Sequence, residues 1–248
     1  MNKVYAFSDI HGMYDLWKLI DSYCDETDKI YFLGDAADRG PEGMKIISEL
    51  LEDKRIIYLK GNHEDMLVRV GSEILEGRTS SIQLWYQNGG APTVATLLQK
   101  PEAIAWEYIH KLKKLPETAE YINKNGKKII LSHAGRPIVD LHNYAASGKG
   151  IDYLWDRDHF MWDTAEEMTE KMPIIVHGHT PVPVLPRFGV YPKNFYEIVK
   201  YCGDHKIDID LGCFDTKKVA LLDLDTLEPI YFKTEYWNEK YWTSSFRA

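Results

Sequence analysis

The chain has 248 residues, of which 44% are hydrophobic and 27% charged, and these proportions suit a soluble globular protein with one large α/β domain. Its formal net charge of -8 argues against a nucleic-acid-binding protein, because non-specific nucleic-acid binding depends on basic patches. The three cysteines form no Cys-x-x-Cys pair, and no stretch approaches the ~18 apolar residues of a membrane span. We therefore expect a reduced, cytoplasmic protein with no membrane partner.

The first third of the chain alternates strands with helices. Apolar runs predict strands, and apolar residues at helical spacing predict the helices between them. The strands are expected at 4–7, 29–33 and 55–59, and the helices at 13–23, from about 41, and at 64–75. This alternation predicts βαβ units with a parallel sheet, in which functional residues gather at the carboxyl ends of the strands.

The rest of the chain has a different pattern. Residues 80–115 are predicted to be mostly helical, and strands at 127–131 and 173–176 each lead to a histidine. From about residue 206 onward, short strands separated by turns predict a second, more antiparallel sheet; they lie at 207–211, 218–222 and 229–233. Because the chain contains no repeat, low-complexity tract or flexible linker, we predict a single domain over residues 1–248.

Five of the predicted strands end in polar residues. The segments, in chain order, are Asp9-Ile10-His11-Gly12, Gly34-Asp35-Ala36-Ala37-Asp38-Arg39-Gly40, Gly61-Asn62-His63-Glu64, Ser132-His133-Ala134-Gly135 and His177-Gly178-His179-Thr180-Pro181. Each segment alone is a weak signal, since polar turns are common at strand ends. Together, the Asp, His and Asn side chains suit Mn²⁺, Fe or Zn²⁺ rather than Ca²⁺, which prefers oxygen ligands. The absence of cysteine from these segments argues against a structural zinc site.

With these five segments in this order, the chain resembles the calcineurin-like metallophosphoesterases, and within them the bacterial and phage type of phosphoprotein phosphatase. The resemblance runs from Asp9 to His179. Leu154-Trp155-Asp156-Arg157 also resembles the family segment that carries a second phosphate-binding arginine, and Ile209-Asp210-Leu211-Gly212 resembles a later segment in which the family usually has Thr at the position of Leu211. The implied fold is two mixed β-sheets packed as a sandwich and flanked by helices, with mostly helical substrate-side insertions around 80–115 and 144–171.

The resemblance also implies a role for each site residue. Two divalent metal ions, with Mn²⁺ preferred and Fe or Zn²⁺ possible, would be about 3.5–4 Å apart. Asp9 and His11 would hold the first metal, Asp35 would bridge both, and the ligands of the second would be Asn62, His133 and His179. A water or hydroxide between the metals would attack phosphorus in line.

Four further residues complete the implied machinery. Arg39 and Arg157 would clamp the phosphoryl oxygens, with Asn62 as a further phosphate contact, because a planar guanidinium matches phosphate bidentately. His63 would protonate the leaving alkoxide as general acid, and Asp38 would orient and charge it.

The sequence leaves two classes of substrate open. The resemblance favours a Ser/Thr protein phosphatase whose substrates could include phosphotyrosine, and the alternative is a hydrolase of dinucleoside polyphosphates such as diadenosine tetraphosphate. The symmetrical enzymes of the second type usually carry Gln where this chain has His11. A catalytically inactive scaffold is disfavoured, because every expected ligand is present. His177 is ambiguous between a supporting and a metal-binding role, and ordinary surface or packing roles are expected for His110, His142, His159 and His205.

Overall fold

In the computed structural model, residues 2–139 and 152–235 are described. The strands are β1 (Val4–Phe7), β2 (Lys29–Phe32), β3 (Ile56–Tyr58), β4 (Thr118–Ile122), β5 (Lys128–Ser132), β6 (Ile174–His177), β7 (Val199–Tyr201), β8 (Lys206–Asp208), β9 (Lys218–Asp223) and β10 (Pro229–Lys233). The α-helices are α1 (Tyr14–Tyr23), α2 (Gly43–Glu52), α3 (Asn62–Leu75), α4 (Ile82–Gln87), α5 (Ala91–Leu98), α6 (Glu102–Lys113) and α7 (Cys213–Thr216). No helix within these described ranges has the length and apolar character that crossing a membrane requires.

The strands form two five-stranded mixed sheets. The first has the order β10-β9-β1-β2-β3, in which β1, β2 and β3 are parallel and β9 runs antiparallel to β1. The second has the order β4-β5-β6-β8-β7, with β5, β6 and β8 parallel. Because parallel neighbours need crossover connections, helices α1 and α2 follow β1 and β2 and lie against the first sheet.

Alternation along the strands sends side chains to two different cores. In β1, Phe7 packs with the helices, where it stacks on Trp17 of α1. Its neighbour Ala6 faces the second sheet and lies in one buried cluster with Leu131 of β5 and Val176 of β6. The two sheets therefore pack as a sandwich, as predicted, with helices on the outer face of the first sheet.

One prediction about the second half of the chain is wrong, and two strands were not predicted. The C-terminal strands do not form a sheet of their own: β9 and β10 extend the first sheet, whereas β8 joins the second sheet parallel to β6. Hydrophobic pattern identifies a strand but not the neighbour with which it pairs. The sequence also gave no signal for β4 and β7, which are edge strands with partly exposed side chains.

The two predicted insertions differ in outcome. Residues 80–115 are helical, as expected, and contain α4, α5 and α6. The described part of 144–171 has no α-helix and contains two short 3-10 turns, Asp158–Phe160 and Ala165–Glu167. The polar run at 163–171 offers no apolar stripe to hold a helix against the core. Residues 144–151 and His142 lie outside the described residues.

Candidate metal centre

The loops that follow β1 and β2 run side by side beyond the ends of the strands. The backbone N–H of Asp9 donates to the carbonyl of Gly34 at 3.0 Å, and that of His11 donates to the carbonyl of Asp35 at 2.9 Å. These bonds continue the parallel ladder into the loops. They bring Asp9 and His11 beside Asp35, as the strand-end argument predicts.

The backbone is unusual at these positions. Within the described residues, ten non-glycine residues have positive φ, and six of them are predicted site residues: Asp9, His11, Asp35, Asp38, Arg39 and His179. A left-handed conformation is costly for residues with a side chain and tends to cluster at functional sites. The surrounding hydrogen bonds hold this arrangement in place and aim the side chains at a common centre.

The carboxylate of Asp35 is the hub of the centre. Its Oδ2 lies 3.7 Å from Nε2 of His11, 3.7 Å from Nε2 of His63 and 3.4 Å from Nε2 of His133. All four side chains are buried. One carboxylate oxygen therefore faces three imidazole nitrogens that come from three different strand ends.

A second group of ligand atoms lies next to the first. Oδ1 of Asn62 is 2.8 Å from Nε2 of His133 and 3.1 Å from Nδ1 of His179, and the two nitrogens are 3.2 Å apart. Asp35, His133 and His179 form one compact group of possible metal ligands, and His11, Asp35 and His63 form another. Because Asp35 belongs to both groups, it has the position that bridging two metals requires.

The histidine tautomers favour a cation. Nδ1 of His133 faces the carbonyl oxygen of Leu33 at 2.9 Å, and Nδ1 of His11 faces that of Ala37 at 3.0 Å. A carbonyl only accepts, so each Nδ1 carries a proton and each neutral Nε2 directs a lone pair at the Asp35 carboxylate. Without a cation this contact is repulsive. Burial disfavours protonation of His133, but the charges of Asp35 and Asp9 outweigh it and raise its pKa to about 9, so a proton occupies Nε2 wherever a metal ion does not. The donor set therefore fits divalent metals.

Asp9 lies at the edge of the first group. Its Oδ1 is 4.0 Å from Nε2 of His11, and its Oδ2 accepts hydrogen bonds from Ser8 Oγ and, at 3.0 Å, from the backbone N–H of His179. Gly178 must be glycine here, because a Cβ atom would overlap Oδ2 of Asp9. The geometry thus places Asp9 beside both groups, and its assignment as a ligand of the first metal stays a prediction.

The structure brings His63 and Asp38 together, as predicted for a general acid and its partner. Nδ1 of His63 is 2.6 Å from Oδ2 of Asp38, which also accepts a hydrogen bond of 2.7 Å from Nε1 of Trp85. Burial opposes protonation of His63, but the carboxylates of Asp35 and Asp38 overcome that effect and raise its pKa above the usual range. The imidazole is therefore biased toward the protonated form that a general acid needs.

The two predicted phosphate-binding arginines differ from the other predicted site residues, all of which are buried. Arg39 is exposed, and Arg157 is partly exposed. Burial holds the pKa of His11 well below its usual range, and the charge of Arg39 lowers it further. Burial also lowers the pKa of His179, with the charges of His133 and Arg157 adding to the effect. In each case the charge of an arginine disfavours protonation of a histidine of the centre.

The sequence signature of the calcineurin-like phosphoesterases matches residues 2–211 of this chain. The chain belongs to this family. It is a metallophosphoesterase, a hydrolase that uses divalent metal ions and acts on phosphoesters.

Two curated relatives carry the name of one activity. The bis(5'-nucleosyl)-tetraphosphatase (asymmetrical) of Halalkalibacterium halodurans is 29% identical over 70% of this chain and 76% of its own length. The bis(5'-nucleosyl)-tetraphosphatase (symmetrical) of Buchnera aphidicola subsp. Schizaphis graminum is 29% identical, but the match covers 53% of this chain and 44% of that protein. This chain therefore spans less than half of the symmetrical relative.

Solved structures share the fold at lower identity. A candidate diadenosine tetraphosphatase superposes with a TM-score of 0.59 at 15% identity, over 96% of this chain and 95% of the other. A Ser/Thr protein phosphatase of Saccharomyces cerevisiae superposes with a TM-score of 0.51 at 13% identity, over 95% of this chain and 81% of the other. At such identities the likeness shows the fold of the phosphoesterase and not its substrate.

Sequence reasoning missed the role of Glu64 in the phosphoesterase. Its buried carboxylate accepts hydrogen bonds from the backbone N–H groups of Asp35 at 2.7 Å, Ala36 at 2.8 Å and Gly61 at 2.9 Å. It thereby fixes the loop that carries Asp35 to the start of α3. The signal was available, because a glutamate three residues after a helix N-cap is the acidic partner of a capping box.

Trp85 of α4 packs in the core and also contacts the site. It is fully buried, and its indole N–H donates to Asp38. The N–H of Asp38 donates in turn to Oγ1 of Thr93 at 2.9 Å. The segment at 80–115 therefore helps to hold the partner of His63, which no local pattern indicates. Trp155, the aromatic residue expected near the site, lies 6.1 Å from the ring of His179.

His177 does not belong to either ligand group. Its Nε2 lies 2.7 Å from the hydroxyl of Tyr201, and its Nδ1 lies 3.1 Å from the carbonyl of Gly178. It packs 5.0 Å from the buried ring of His159, next to Lys206, whose Nζ forms a 2.6 Å ion pair with Asp163. We call His159, Asp163, His177, Tyr201 and Lys206 the lysine cluster. His177 thus has a supporting position, and His159 has an ordinary packing role, as expected.

Proposed function

We propose that this phosphoesterase hydrolyses dinucleoside polyphosphates, with a bis(5'-nucleosyl) tetraphosphate as substrate. The observation that carries the proposal is the relative of that name, which is 29% identical over 70% of this chain and 76% of its own length. The Ser/Thr phosphatase hypothesis, which the sequence resemblance favoured, is supported here only by a similar fold at 13% identity. We therefore prefer the dinucleoside polyphosphate hypothesis to the protein phosphatase hypothesis.

The proposal includes the position of the cut. The relative that matches 70% of this chain is named as asymmetrical. In addition, this chain has His11 at the position where the symmetrical enzymes usually carry Gln. We expect unequal cleavage, so that diadenosine tetraphosphate yields ATP and AMP rather than two molecules of ADP.

The metal ligands proposed are those implied by the resemblance. Asp9 and His11 would hold one divalent ion, Asp35 would bridge, and Asn62, His133 and His179 would hold the second, with Mn²⁺ as the preferred ion. When bound, such a pair lowers the pKa of water and neutralises charge on the phosphoryl group. A reducing cytoplasmic location is proposed with it, since the three cysteines are free.

The chain's own residues would perform the remaining steps. Arg39 and Arg157, which are accessible to solvent, would each present a planar fork of N–H groups to the phosphoryl oxygens and orient the phosphorus for in-line attack. Nε2 of His63 would give its proton to the leaving phosphate oxygen, and Asp38 would hold that imidazole in position through Nδ1.

A side-by-side rate comparison tests this proposal. The Mn²⁺-loaded protein is assayed on diadenosine tetraphosphate and on a phosphoserine peptide at equal concentration, and the nucleotide products are separated. The proposal predicts a higher kcat/KM for diadenosine tetraphosphate, with equal amounts of ATP and AMP. A higher kcat/KM for the peptide would restore the protein phosphatase hypothesis.

A further inference from the structure

We propose that the groove between α3 and α4 binds the nucleoside of the departing half of the substrate. This inference rests on the proposed function, and it concerns a cavity of about 300 Å³ outside the metal centre. That size lies at the lower end of small-molecule sites, which suits one nucleoside rather than a whole dinucleotide. Its lining residues are Met66, Arg69, Val70, Glu73, Arg78, Ser81, Leu84 and Trp85.

The position of the cavity connects it to the leaving-group side of the centre. Met66 and Val70 follow His63 on α3 by three and seven residues, so all three lie on one face of the helix. Val70 is about 10 Å from His63 along the helix axis. The cavity therefore begins about one helical turn beyond the proposed general acid.

Trp85 forms a wall shared by the cavity and the centre. One edge of its indole donates to the carboxylate of Asp38, and the residue also lines the cavity. A nucleoside in the groove would therefore contact a residue that holds the partner of His63. This places the departing half of the substrate beside the groups that protonate it.

The chemistry of the walls suits a nucleobase. Met66, Val70 and Leu84 offer apolar surface to a planar heteroaromatic ring, and Leu84 is 56% exposed. Ser81 and Glu73 add hydrogen-bonding groups, and the carboxylate of Glu73 can accept from an exocyclic amine. A bound base would cover the exposed side chain of Leu84.

Two arginines at the rim suit the phosphates that carry the base. The side chains of Arg69 and Arg78 are 59% and 62% exposed and are paired with Asp65 and Glu76. Ion pairs this exposed hold their partners weakly, because water screens them. Either guanidinium can therefore exchange its carboxylate for a phosphate oxygen at little cost.

Two variants test the groove with the Mn²⁺-loaded protein. Arg69→Ala/Arg78→Ala removes the phosphate contacts, and Ser81→Trp fills the cavity that the base would occupy. Each is assayed on diadenosine tetraphosphate and on p-nitrophenyl phosphate, which has no nucleoside. We expect each variant to raise KM for diadenosine tetraphosphate about tenfold and to leave kinetics on p-nitrophenyl phosphate unchanged. The matched control Arg187→Ala, an exposed arginine in the 3-10 turn Val182–Phe188, should change neither substrate.

The outcomes separate this inference from the proposed function. If wild type cleaves diadenosine tetraphosphate and both variants keep its KM, the groove does not bind the nucleoside, and the proposed function stands. Equal loss on both substrates would also overturn the inference, since the groove would then act through the metal centre. If wild type fails to cleave diadenosine tetraphosphate, the proposed function falls and the inference falls with it.

Discussion

The metal centre and the lysine cluster are both buried, and each contains histidines from the second sheet, but their hydrogen bonding is opposite. In the lysine cluster, donors meet acceptors: Lys206 meets the carboxylate of Asp163, and the hydroxyl of Tyr201 meets His177. In the metal centre, Nδ1 of His133 faces a backbone carbonyl, and its Nε2 faces the carboxylate of Asp35 and the amide oxygen of Asn62, an arrangement that needs a cation. The two sites use similar residue types for different purposes.

The difference teaches how to distinguish a functional histidine from a structural one. Burial does not separate them, since His133 and His177 are both fully buried. The hydrogen-bond partners of the two ring nitrogens do distinguish the two histidines. A backbone carbonyl holds Nδ1 of His133 and leaves Nε2 facing Asp35 and Asn62, whereas both nitrogens of His177 have partners within the fold. The first arrangement calls for a cation, and the second stabilises the protein.

The largest difference between the clusters is expected from Asp35→Asn. It removes the carboxylate shared by both ligand groups, so we expect loss of both metals and a fall in turnover of about 10³-fold or more.

His177→Asn, the matched control, should keep both metals and lose about 1–3 kcal/mol of stability, because the Tyr201 hydroxyl loses its partner. Metal content by mass spectrometry and urea unfolding measure both. Metal loss in the control would show that the clusters are one site.

His63→Asn is expected to separate catalysis from metal binding. It should lower kcat by about 10²–10⁴-fold for a substrate with an alkyl leaving group, because that group must be protonated as it departs. An aryl phosphate, whose leaving group is less basic, should be affected less. Metal content should fall far less than turnover. Equal turnover of the alkyl phosphate would contradict the general-acid role.

Asp163→Asn is expected to act on stability and not on the metals. Both side chains of the Asp163–Lys206 pair are fully buried, and the same carboxylate accepts the backbone N–H groups of Ile138 and Val139 at 2.9 Å. The change leaves a buried cation without its counter-charge, which costs about 3–5 kcal/mol. The urea midpoint should fall, while the folded variant should bind the metals as wild type does. An unchanged midpoint would show that the ion pair is not needed for stability.

The smallest effect is a shift in the pH profile. The activity that needs protonated His63 is present below its raised pKa and is lost as the pH rises through that value. Asp38→Asn removes one of the charges that raise the pKa, so the alkaline limb of kcat should move to lower pH. A profile measured from neutral to alkaline pH on an alkyl phosphate tests this. If the alkaline limb stays at the same pH, a group other than His63 is responsible for it.

Much of the first half of the site could be predicted from the sequence. Short apolar strands that end in Asp9, Asp35 and Asn62 alternate with helices, and parallel strands carry such ends to one edge of a sheet. The individual roles came from the resemblance rather than from geometry. Those roles stay predictions; the structure shows that His63 belongs to the first ligand group, whereas Asp9 lies at its edge.

What the sequence could not predict depends on contacts between distant segments. The split of the C-terminal strands between two sheets is a matter of pairing, which no single strand specifies. Trp85 lies 47 residues from Asp38, and Lys206 lies 43 residues from Asp163, so no local pattern links either pair. The groove between α3 and α4 likewise exists only after two helices have packed.

Metal dependence on the proposed substrate is the most direct test of the whole account. The protein is dialysed against a chelator, assayed on diadenosine tetraphosphate, and assayed again after Mn²⁺ is returned. We predict loss of hydrolysis after dialysis and recovery with Mn²⁺, with ATP and AMP formed in equal amounts. Hydrolysis that persists in the metal-free protein would contradict the account.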